Sequence, residues 1–108
     1  MGFKSVKEVF QKMPSVFDPN QAKNLEKVFL FEITGEQQGQ YYVVIKNGTC
    51  QVEEGVHSSP DVTLTMSDET WLGMVNKEIS GVKAFMTGKL KVKGDLMLAQ
   101  RIYDLFPL

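Results

Sequence analysis

Few side chains in this sequence are of a type that does chemistry, and their spacing decides how they read. The one histidine, His57, stands in a polar stretch, with no second histidine or cysteine at a metal-ligand interval. An imidazole in that setting reads as a solvated loop residue. Cys50 is the only cysteine, which rules out an internal disulfide and leaves too few thiols for a zinc cluster. Its alternation with Gln51 on a strand reads as a packed thiol rather than a nucleophile. Glu53 and Glu54 are adjacent, and strand neighbours point to opposite faces, so the two carboxylates cannot flank one substrate. Lys89, Lys91 and Lys93 share one face of an alternating run. They could attract a phosphate or carboxylate, but the pattern is first that of an exposed edge strand. No Walker loop, nucleophile elbow or dinucleotide fingerprint occurs, and Gly88 and Gly94 flank a strand rather than a phosphate cradle. The expectation is a protein with no catalytic group, no metal and no cofactor, hence not an enzyme.

The elements that must position these residues follow from apolar periodicity. A helix is predicted over 5–13, opened by Ser5 and Glu8 as a capping box, with Phe3, Val6, Phe10 and Met13 on one face. Pro14 is expected to end it. Asp18-Pro19-Asn20 reads as a turn, and 21–26 as one further short helical turn. Over 27–34 the period becomes two, with Phe29, Phe31 and Ile33 opposite Val28, Leu30 and Glu32. A second strand over 40–46 sets Tyr41, Val43 and Ile45 on one face and Tyr42 and Val44 on the other. Asn47-Gly48 then marks a type I′ hairpin into a strand over 49–54. A loop over 55–60 leads to a strand over 61–66.

Ser67 is an N-cap candidate for a helix carrying Trp71, Leu72, Met74 and Val75, with Asp68 and Glu69 in its first turn. A short helix over 82–87 stops at Gly88, a strand follows over 89–93, and Asp95 caps a last helix reaching Phe106. The order α, β, β, β, β, α, α, β, α predicts an α+β domain, helices packed on a mainly antiparallel sheet. One domain over 1–108 is expected at this length, and no linker or repeat divides it.

Composition narrows the function class. Hydrophobic residues make up 43%, enough for a real core. The net charge of −1, from 12 basic and 13 acidic side chains, argues against nucleic acid and against tight attachment to anionic membranes. No run approaches a transmembrane length and the first residues lack a signal-peptide core. The chain ends Leu105-Phe106-Pro107-Leu108, not a Ser-Lys-Leu address. A cytoplasmic location is the resulting expectation. The 6 Met and 7 Phe supply adaptable apolar surface that suits either a filled core or a hollow one, and composition does not distinguish them.

Asp61-Val62-Thr63-Leu64-Thr65-Met66-Ser67-Asp68-Glu69 resembles the D-x-T-[IL]-x-[MI]-s-x-[ED] stretch of the sterol carrier protein type two family. Ala84-Phe85-Met86-Thr87-Gly88-Lys89-Leu90-Lys91-Val92-Lys93-Gly94-Asp95 resembles its A-F-x-x-G-K-[LI]-K-[VI]-x-G-D stretch. Phe31 to Gly35, Tyr42 to Val44 with Asn47-Gly48, and Ala99 to Phe106 are similar to its opening hairpins and its close, so the likeness spans nearly the whole chain. The resemblance implies a five-stranded, mainly antiparallel sheet covered by helices and enclosing an apolar tunnel. It also implies non-catalytic binding and transfer of a fatty acid, acyl-coenzyme A, sterol or similar lipid.

On inward faces and that implied tunnel, the sheet candidates for lipid contact are Phe31, Ile33, Val44 and Leu90. Trp71, Met74, Val75, Phe85 and Met86 come from the middle helices, and Leu98, Ile102 and Phe106 from the last. The 81–88 helix or the last helix would act as the lid. Transient membrane contact is compatible with this reading, and monomer and dimer stay open. The alternative is an interaction or dimerisation module that presents a lipid or quinone intermediate to an enzyme.

Overall fold

A computed structural model describes residues 2–108. Helix α1 (Val6–Val16) precedes strands β1 (Lys27–Thr34), β2 (Gly39–Lys46), β3 (Thr49–Glu54) and β4 (Val62–Ser67). Helices α2 (Asp68–Val75) and α3 (Gly81–Met86) follow, then β5 (Leu90–Gly94), α4 (Leu96–Gln100) and α5 (Ile102–Leu105). The expected α+β fold and its five-stranded, mostly antiparallel sheet are what the structure has. The strands lie in the order β3-β2-β1-β4-β5. β2 pairs antiparallel with β1 and β3, and β5 antiparallel with β4. β1 and β4 run parallel, Phe31 opposite Leu64. That leaves β5 at an edge, which suits its exposed Lys91 and Lys93 and the Lys89 just before it.

The hairpin between β2 and β3 turns through Asn47 (φ 54) and Gly48 (φ 73), the two positive angles a type I′ turn demands. Tyr41, Val43 and Ile45 point into the core with Phe29, Phe31 and Ile33 of β1. There Phe10 of α1 stacks on Tyr41 with ring centroids 4.0 Å apart and lies 5.5 Å from Trp71, which in turn lies 5.2 Å from Phe31. This aromatic stack joins α1 and α2 to one face of the sheet.

Three local expectations are corrected. α1 does not stop before Pro14 but runs to Val16. In the last turn the missing proline amide costs one bond, and Ser15 Oγ donates to the Lys12 carbonyl at 2.7 Å, satisfying a terminal acceptor. The expected helical turn over 21–26 is absent: residues 21–24 form turns, with Asn24 at φ 61, and 25–26 lead irregularly into β1. The last helix is two short ones, broken at Arg101 (φ −87, ψ 0), whose amide bonds three residues back to Leu98. The break lets the chain end fold onto the segment after α1. The Asp18 amide donates to the Leu105 carbonyl at 2.9 Å, the Arg101 guanidinium donates to the Gln21 carbonyl, and Phe106 packs 5.4 Å from Phe17.

Candidate functional site

Ser67 fixes the start of α2 because its Oγ accepts the Thr70 amide at 3.1 Å. That register sets Trp71 and Met74 three residues apart on one helix face. Below them β4 and β5 offer Leu64, Leu90 and Val92, which alternate inward as strand residues must. β5 is delimited by Gly88 (φ 79) and Gly94 (φ 101). A Cβ at Gly94 would lie 2.5 Å from the Asp61 carbonyl, so only glycine passes there. Asp95 then caps α4, its Oδ1 accepting the Leu98 amide at 3.0 Å, and α4 and α5 bring Leu96, Ala99, Ile102 and Tyr103 over the same space. Gly81, Val82 and Phe85 of α3 close the remaining side.

These elements enclose a cavity of about 170 Å³. Its wall holds no charged side chain; Gln100 and Tyr103 supply its polar groups beside the Trp71 indole. Burial pushes the Tyr103 phenol above its ordinary value of 10.0, so it stays neutral at physiological pH. Trp71 is 1% exposed, and its Nε1–H is, among the described residues, the one buried side-chain polar atom with no hydrogen-bond partner. α3 is held weakly: Ala84 is its one buried residue, whereas Val82, Phe85 and Met86 are exposed, and Leu96 and Met97 expose a further apolar surface at the start of α4. Val82, Phe85 and Leu96, which both line the cavity and are exposed, therefore give it an apolar mouth.

Of the residues expected from sequence to touch a ligand, Trp71, Met74, Phe85, Leu90 and Ile102 meet at this wall. Phe31, Ile33, Val75, Leu98 and Phe106 are buried in the core but lie off it. Val44 sits elsewhere: β2 turns Tyr41, Val43 and Ile45 toward the helices, so Val44 is half-buried on the outer face of the sheet. Met86, 78% exposed, points to solvent rather than inward, because the six-residue α3 turns only a narrow face, that of Ala84, to the core. Leu64 and Val92 join the wall without having been singled out, although strand alternation marks both. Leu96, Ala99 and Tyr103 do so too, and their helical spacing of three and four was a usable signal.

The remaining polar candidates lie apart from the cavity. Lys91 and Lys93 pair with Thr65 and Thr63 and are exposed; they alternate with Leu90 and Val92, which face the cavity. His57 lies 5.4 Å from the Tyr42 ring, its Nδ1 accepting the Ser59 amide at 3.0 Å. Cys50 is half-buried, and burial pushes its thiol up. Among the described residues no helix is long and apolar enough to cross a membrane.

Comparison with known proteins agrees with this fold. The profile of the SCP-2 sterol transfer family matches residues 6–107. Hydroxysteroid dehydrogenase-like protein 2 of Xenopus tropicalis is 31% identical over 98 residues, covering 90% of this chain and 24% of that protein. The chain thus spans about a quarter of that relative's length. The solution structure of palmitated SCP2L2 from Aedes aegypti superposes with a TM-score of 0.76 at 30% identity, covering 93% of this chain and 92% of the other. Sterol Carrier Protein 2 from Yarrowia lipolytica, in its apo form, gives 0.75 at 28%, covering 96% and 90%. With its profile matched from α1 to the chain end and its fold shared by these carriers, the chain belongs to the SCP-2 sterol transfer family.

Proposed function

We propose that this chain works as one lipid-carrying domain, holding the apolar body of a fatty acyl chain, sterol or similar lipid in the cavity among α2–α5, β4 and β5, without acting on it chemically. Family membership supports lipid binding in general. The observation that carries the more specific reading is the cavity wall, mostly apolar and free of charged side chains, with an exposed apolar mouth. The palmitated Aedes aegypti relative supports an acyl chain as one cargo.

Size sets the mechanism. An apolar cavity of ~150 Å³ admits a benzene ring, so about 170 Å³ takes a ring-sized part of a lipid in this closed form. A longer chain enters by displacing α3, the helix with the fewest buried residues. Each methylene taken in contributes ~0.8 kcal/mol before ordering costs, enough to favour opening once several are buried. A charged headgroup stays at the mouth, because the wall offers it no counter-charge.

Palmitate titrated into detergent-free protein should quench or shift Trp71 fluorescence saturably and raise the melting temperature by linkage. Ala99→Phe places one ring in a space of ring size and should weaken palmitate binding at least tenfold with the fold retained. Unchanged affinity in that variant would move the lipid out of this cavity. The exposed mouth residues also favour a second reading, a surface covered by a partner protein or second copy. A stable dimer that protects Val82 and Met97, with no saturable lipid binding, would select it.

A further inference from the structure

The large apolar side chains left in solvent are not spread over the molecule. Among the described residues six are exposed, and all but Val56 fall between positions 82 and 97: Val82, Phe85, Met86, Leu96 and Met97. Val82, Phe85 and Leu96 also line the cavity, so the patch and the cavity mouth are one surface. An exposed apolar cluster of this kind marks a contact surface. α1 offers no rival, since its Val6, Val9, Phe10 and Met13 are all buried.

Charge names the occupant. Residues 82–97 hold Lys83, Lys89, Lys91 and Lys93 against a single acid, Asp95, whose Oδ1 is taken by the Leu98 amide at 3.0 Å. The whole chain is −1, so the rest of it is net acidic. None of the four lysines forms an ion pair among the described residues. Lys89 shares a groove with Glu69 and Glu78, which leaves Lys83, Lys91 and Lys93 to set the sign of the surface. Lys83 stands on α3 between Val82 and Phe85. Lys91 and Lys93 lie on the open edge strand, alternating with Leu90 and Val92 of the cavity wall. Their charge acts across about 8 Å of physiological saline rather than by contact.

A second copy would set lysines against lysines, since a two-fold contact pairs a patch with itself. A bilayer bearing anionic lipids instead offers apolar depth and negative charge together. We infer that the rim of α3, β5 and the start of α4 docks on such a bilayer, its five exposed apolar side chains in the interface and its lysines at the anionic headgroups. The docking stands on these surface residues. Its use, passing a lipid across without exposure to water, rests on the reading of the cavity as the lipid site. α3 buries Ala84 alone, so moving into the interface gives up little packing and opens the mouth where the lipid is.

The test is sedimentation of the full chain with vesicles of phosphatidylcholine, alone or with phosphatidylserine added. Binding should be at least about tenfold stronger with phosphatidylserine and should fall as salt rises. Near an anionic surface each lysine is worth roughly fivefold in affinity. Lys83→Gln, Lys91→Gln and Lys93→Gln combined should therefore weaken binding at least about tenfold. Met86→Asp with Met97→Asp should also release the protein from vesicles, and all five positions are exposed, so the fold is retained. Val56→Asp, at the exposed large apolar residue outside the patch, should leave binding nearly unchanged. Equal binding to both vesicle types, an equal loss with Val56→Asp, or a dimer formed through the patch without vesicles would overturn the proposal. Ala99→Phe should lose palmitate yet bind vesicles as before, so the docking and the cavity reading fail separately. A wild-type chain that sediments with neither vesicle would overturn the docking and leave the cavity reading standing.

Discussion

The residues that make this site are mostly those that hold the backbone in place beneath it. Gly94 is the sharpest case, since φ of 101 and a carbonyl 2.5 Å from its absent Cβ leave no room for any other residue. Gly94→Ala should lower stability by about 2 kcal/mol or more, read as a fall in the urea midpoint with an unchanged slope. A loss under about 0.5 kcal/mol would show that β5 and Asp61 shift apart easily. Ser67, Ser80 and Asp95 each cap a helix at the rim with a side-chain oxygen, which is why short helices persist there. Ser67, Asp95 and the glycines bounding β5 were legible in the sequence, because caps and turn glycines are local chemistry, whereas Ser80 was not read as a cap. Val44 was not placed correctly, for a reason also local: choosing it as an inward residue set aside the alternation that puts it with Tyr42.

Among the elements, α3 is the one whose packing suits movement. It buries Ala84 alone, its flanks hold positive-φ Lys77 (63°) and Gly88, and it covers the cavity mouth. Its backbone amides should therefore exchange with solvent faster than those of α1, which buries Val6, Val9, Phe10 and Met13. Added palmitate should slow α3 exchange at least tenfold while α1 changes little; equal protection of the two helices without ligand would remove α3 as the lid. The strands were legible from period two and from Asn47-Gly48. The parallel β1–β4 pairing was not, since it joins strands separated by a hairpin and a loop, and no local signal encodes such a partner. The split at Arg101 escaped for the same reason, being fixed by docking of the chain end on Asp18 and Phe17.

On the scale of the whole molecule, burial leaves an imprint on pH dependence. Burial raises Tyr41, with a smaller contribution from Glu54, and it raises Tyr103 and Cys50 as well. Folding then favours the protonated forms. Stability is fully present below the ordinary values of 9.0 for the thiol and 10.0 for the phenols, and declines as pH rises through the higher folded values. Urea midpoints should stay level from about pH 7 to 8.5 and fall beyond about pH 9.5; a rise on the alkaline side would contradict the sign of these shifts. The cavity itself was the least legible feature, because residue types state what is apolar but not what is left unfilled between apolar groups. Gly81 is recognised as a cavity residue only once Met74 and Tyr103 are seen against it, each 3.3 Å from where a Cβ would lie. The most direct measurement is therefore a set of intermolecular NOEs between isotope-labelled palmitate and the protein methyl groups. The account predicts contacts from the acyl chain to Leu64, Leu90 and Val92 beneath α2 and to Val82 on α3; a bound palmitate whose contacts fall on Val44 and Leu30 of the outer sheet face, or on no core methyl at all, would contradict it.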